Sequence, residues 1–146
     1  MPPSDRFKPI QKIASHRERK AAAALGESLK QREAAQLRLA ELRAYLDEYL
    51  ERFSRAAQNG LSSNQVVEYQ VFISKLESAI AEQEKIVMQS QANCDSSKAT
   101  WRGRYTKSRA MDSAVDRMQA REAKDAERKE QSESDERSQR VRDGDG

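Results

Sequence analysis

Proline is confined to Pro2, Pro3 and Pro9, so beyond position 9 nothing in the 146 residues forces a helix to break. The single cysteine, Cys94, excludes an internal disulfide and suits a reducing compartment. The single histidine, His16, has no second imidazole and no nearby cysteine with which to hold a metal. The five glycines form no phosphate-binding loop, and there is no nucleophile elbow and no set of paired carboxylates in a pocket. Catalytic residues, a metal and a cofactor are therefore all unexpected, and the chain does not read as an enzyme. No apolar run approaches the roughly 18 residues a membrane-spanning helix needs. The opening residues lack the pattern of a signal peptide. Direct membrane insertion is thus not expected, and the composition points to a soluble, cytoplasmic protein.

What the sequence has in abundance is charge and helical periodicity. Hydrophobic residues make up 36% and charged residues 35%, too polar for a globular core and typical of long, solvated helices. The formal net charge of +3 comes from interspersed acids and bases. Leu39, Leu42, Leu46, Tyr49 and Phe53 form one ladder of alternating three- and four-residue steps. Val66, Tyr69, Ile73, Leu76, Ile80, Gln83 and Val87 form another, countable without a skip to Met118. That spacing keeps one seam turned toward a partner helix, the signature of a coiled coil.

Between the ladders Asn59 and Gly60 reverse the chain, and Ser62 with Gln65 forms a capping-box pattern that opens the second helix. The expected fold is all-α, a long two-helix antiparallel coiled-coil hairpin. It comprises residues 1–118, with helix one over about 5–58, a turn at 59–62, and helix two over about 63–118. Helix one would measure roughly 80 Å at about 1.5 Å per residue. Facing positions of an antiparallel pair have a constant index sum. A sum of 122 sets Phe53 against Tyr69, Leu42 against Ile80, Val87 against Ala35, Cys94 against Ser28 and Trp101 against Ala21. Away from the turn the seam turns polar, with Arg32, Ser90, Ser97, Arg104 and Ser108 at core positions. Residues 119–146 carry nine acids and seven bases and have Val141 as their one large apolar residue. A charged, frayed helix passing into disorder is expected there.

Two features have the chemistry of contact. Tyr45 and Phe72 fall at g positions, where soluble coiled coils usually place Glu, Lys or Gln. Either they widen the core or they form a partner-binding patch bordered by Leu42, Tyr49 and Leu76. The second feature is basic: Lys98, Arg102, Arg104, Lys107 and Arg109 span twelve residues without an acid. Residues 1–30 add seven bases against three acids, among them Arg17, Arg19 and Lys20. An acidic protein surface and a merely solvated face are the two readings this run supports. Nucleic acid is not expected, because Trp101 and Tyr105 are the only stacking rings among these bases.

Around the turn the sequence resembles the flagellar export protein FliJ family of bacterial type III secretion. The pattern comprises Leu42, Tyr45, Glu48 and Tyr49, then Asn59-Gly60, then Tyr69-Gln70, Phe72-Ile73, Leu76-Glu77 and Ala79-Ile80, with Trp101 where the family tends to have tryptophan. It covers roughly residues 38–101. Arg38 and Gln83 depart from the polar residues that the family often has at those places. The resemblance implies a stalk that enters the pore of the hexameric export ATPase FliI and promotes its assembly and turnover. It also implies docking on the export gate FlhA, handling of export chaperones, and a peripheral place at the cytoplasmic face of the cell membrane in flagellum biogenesis, motility and chemotaxis. Gate binding would fall on Leu42, Tyr45, Tyr49, Phe72, Leu76 and Ala79. Contact with the ATPase ring would fall on Arg17, Arg19, Lys20, Lys98, Arg102, Arg104, Lys107 and Arg109. The equivalent stalk of an injectisome and a generic coiled-coil scaffold or tether are the alternative readings.

Overall fold

A computed structural model describes residues 2–144 and contains two helices, α1 over Pro3–Gln58 and α2 over Ser63–Gly144. The fold is an all-α two-helix hairpin. Residue 1 of the expected hairpin and residues 145 and 146 of the expected tail lie outside the described residues.

The turn is built by local chemistry. Gly60 has φ of +90°, a left-handed conformation that an L side chain resists, and it stands two residues past the end of α1 at Gln58. The Ser62 N–H donates to Gln65 Oε1 at 2.9 Å, and the Gln65 N–H donates to Ser62 Oγ at 3.2 Å. These reciprocal bonds satisfy two donors that the first turn of a helix otherwise leaves unpaired.

By its internal contacts the chain divides into two units, residues 21–101 and residues 1–20 with 102–146. In the first, which holds the turn, Leu39, Leu42 and Ile80 form a buried cluster with Leu46, Ala79 and Val87 packed against it. The seam then changes character. Cys94 Sγ lies 3.0 Å from the Ser28 carbonyl oxygen, and the Ser28 and Ser97 hydroxyls are 2.9 Å apart. Gln83 donates to the Ala35 carbonyl, and Arg32 Nη1 reaches Gln91 Oε1 at 3.4 Å, while Arg32 Nε is buried without a hydrogen-bond partner. Polar residues at such core positions specify register at a cost in stability.

The second unit has a seam of small and polar residues, with Ser4, Ser108 and Val115 buried. Glu122 bridges its two helical segments: its carboxylate accepts from the Ser4 N–H at 2.8 Å and from the Ser4 hydroxyl at 2.7 Å. The N–H is an orphan donor in the first turn of α1, and a carboxylate is favoured at that positive helix end. Pairing in this unit therefore reaches past position 118, through a polar contact that no hydrophobic ladder signals. Gln11 donates to Asp112 at 2.8 Å in the same unit. Residues 119–144 are helical, and all but Glu122 are exposed.

Candidate functional site

In the turn-bearing unit five aromatic rings stack in sequence across the two helices. Phe53 and Tyr69 have centroids 5.1 Å apart, Tyr69 and Tyr49 5.8 Å, Tyr49 and Phe72 4.2 Å, and Phe72 and Tyr45 6.1 Å. Offset and edge contacts of this kind add to the burial they accompany. The series ends at Tyr45, which is 47% exposed, while Tyr49, Phe72 and Ala79 are half-buried. Leu42 and Leu76 are buried between the helices and offer no free surface. The exposed part of this patch is thus the outer edge of Tyr45, with Phe72 held behind it. The guanidinium of Arg52 lies 5.9 Å from the Tyr49 centroid. Arg52 also pairs with Glu48 one helical turn away, a contact worth little on an exposed face.

In the unit that holds the termini, α1 and α2 enclose a groove of about 170 Å³. Ile10, Ile13, Ala14 and Met111 give it apolar walls, and Arg17, Arg104 and Lys107 supply positive charge. Ile10 and Ile13 are 47% and 52% exposed, large aliphatic side chains left in water. Three of the basic residues singled out in the sequence therefore come together. The others do not join the groove: Arg19, Lys20 and Arg102 are exposed elsewhere, and Arg109 pairs with Asp112 and lies over the Tyr105 ring. Lys98 belongs to the turn-bearing unit. Sequence reasoning passed over Ile10 and Ile13. Their signal was spacing, because Ile10, Ile13 and Arg17 recur at three and four residues and so line one side of a helix.

His16 is exposed and Cys94 is 3% exposed, its Sγ occupied by the Ser28 carbonyl. Among the described residues no group of three His, Cys, Asp or Glu side chains has the arrangement to hold a metal ion. No helix among them is long and apolar enough to cross a membrane. Two surface features remain as candidates for contact, one aromatic and one mixed basic and aliphatic.

Compared with known families, residues 3–142 match the model described as "Flagellar FliJ protein". The chain belongs to the flagellar FliJ family. The match extends well beyond residues 38–101, where the motifs around the turn lie, and takes in both units. No curated protein matches the chain. FliJ-family membership makes this protein a component of flagellar type III protein export, in a family that is non-catalytic.

Proposed function

We propose that this FliJ-family protein is a coiled-coil stalk that binds and stimulates the hexameric export ATPase FliI. On this reading it also couples ATPase turnover to the export gate FlhA and takes part in handling export chaperones. Its place is peripheral, at the cytoplasmic face of the membrane that holds the gate. The unit containing the termini contacts the ATPase ring through its basic residues. The turn-bearing unit docks on the gate through Tyr45 and Phe72, with Tyr49, Ala79, Leu42 and Leu76 fixing the position of those rings.

The observation that carries this reading is the ring series ending at Tyr45. A tyrosine held at 47% exposure by stacked neighbours loses little rotamer freedom on binding, which makes it an efficient anchor. The basic residues of the other unit support an acidic partner surface. A two-helix stalk inside a six-fold ring touches only some subunits at once, so it biases their nucleotide states unequally. If the gate prefers the same conformation of the stalk, the two binding events are thermodynamically linked.

The test is ATPase activity of the purified cognate export ATPase with and without this protein, alongside ring formation by electron microscopy. Stimulation with ring assembly is expected. A stable helical protein that neither stimulates nor assembles rings would leave a scaffold or a gate-only role.

A further inference from the structure

The groove at Ile10, Ile13 and Met111 combines two properties that a merely solvated helix face does not need together. Ile10 and Ile13 are exposed, and each leaves apolar surface in water that burial would favour by roughly 25 cal/mol per Å². At the same groove stand Arg17, Arg104 and Lys107, and among the described residues none of them forms an ion pair.

We infer that this groove receives an acidic segment of a protein partner, seating one aliphatic side chain against Ile10, Ile13 and Met111 between carboxylates that pair with Arg17, Arg104 and Lys107. The size fits. A cavity of about 150 Å³ lined by aliphatic side chains holds a benzene molecule, so about 170 Å³ accommodates one large apolar side chain. The charge fits as well, since no acidic residue lines the groove. Seating the apolar side chain removes water from the rim, where a charge-assisted hydrogen bond to a carboxylate is then stronger. A nucleic acid fits poorly, because no aromatic ring lines the groove to stack a base. The inference deepens the reading of the terminal unit as the ATPase-facing part and rests on it for the partner's identity, though not for the chemistry of the occupant.

The test keeps the two apart. The full chain, with methyl-labelled isoleucine and methionine, is titrated with three helix-forming peptides of equal length. One carries a single leucine bracketed by glutamates a turn before and after it. The second has serine in place of the leucine, and the third has glutamines in place of the glutamates. Saturable shifts of the Ile10, Ile13 and Met111 methyl resonances are expected with the first peptide alone. Affinity should fall at least tenfold in Arg17→Glu/Lys107→Glu. It should fall as far in Ile10→Ser/Ile13→Ser, which keeps every charge, and less than twofold in Lys12→Glu/Arg121→Glu. An equal response to the serine peptide or to a single-stranded oligonucleotide would make the groove a general anion surface and overturn the inference. So would the absence of any shift. The export ATPase is assayed in parallel with the same variants. If the wild-type chain binds the acidic peptide but not the ATPase, the stalk reading fails and the groove stands. If the ATPase is bound equally by all variants, the groove is not its contact.

Discussion

The unit of residues 21–101 and the unit of residues 1–20 with 102–146 use the same two helices and differ in what they bury. The first encloses Leu39, Leu42, Leu76 and Ile80 and extends that core through a stack of five rings. The second encloses Ser4, Ser108 and Val115 and closes with a carboxylate on a helix terminus. One holds itself together by apolar burial and presents a single preformed aromatic edge. The other has Val115 as its one buried large apolar side chain among the described residues, so a partner has more to add to its stability. Heptad periodicity alone conceals this, because serine, alanine and leucine occupy equivalent positions of one repeat.

Truncation of the seams should expose the contrast most strongly. Leu42→Ala is expected to cost about 2–3 kcal/mol, the lower part of the range for buried aliphatics, because two helices surround a side chain incompletely. Val115→Ala should cost about 1–2 kcal/mol, since fewer methyl groups are lost. Urea unfolding followed by circular dichroism measures both, and equal losses would erase the distinction between the units. Next in size is a change of opposite sign. Arg32→Leu removes a guanidinium whose Nε is buried and unpaired, and should stabilise the chain by roughly 1–3 kcal/mol. The same variant should self-associate more readily in sedimentation, because the polar layer no longer fixes register. A thermal midpoint that falls would mean that the Arg32–Gln91 contact is worth more than the desolvation it entails.

Smaller and more local is Glu122→Ala, which strips both acceptors from Ser4. A loss of about 1 kcal/mol, comparable to removal of a helix cap, should appear as faster amide exchange over residues 3–8 with no change near the turn. The smallest effect on stability belongs to Tyr45→Ala, within about 0.5 kcal/mol because the ring is half exposed. Its affinity for the purified gate domain should nonetheless fall at least tenfold. Loss of helix content in that variant would make Tyr45 a core residue and end its assignment as a contact.

The turn and the apolar seam were legible because their chemistry is local or periodic. Gly60, Ser62 and Gln65 each act within a few residues, and Phe53 with Tyr69 follows from a constant index sum. The pairing of Cys94 with Ser28 follows from the same arithmetic. The Glu122 contact with Ser4 escaped because it joins two polar residues 118 positions apart, and neither ladder includes it. For residues 119–146 the composition predicts a charged, frayed helix passing into disorder, and residues 119–144 are helical. With no apolar face to read, their charge composition says only that they are solvated. At the candidate sites sequence located both the aromatic flank and the basic run. It set Leu42 and Leu76 on the seam, where both are buried. Tyr45 is exposed and Phe72 half-buried, but sequence left open whether these g-position rings widen the core or face out, because g positions flank the seam. Nor could it gather Arg17, Arg104 and Lys107 around two isoleucines, which takes both helices.

The central claim is that the two units serve different partners, and a crossed measurement tests it most directly. ATPase stimulation and gate binding are measured for the wild-type chain, for Tyr45→Ala and for Arg17→Glu/Lys107→Glu. The account predicts that Tyr45→Ala keeps stimulation and loses gate binding, while the charge-reversal variant does the opposite. Parallel loss of both activities in either variant would contradict it.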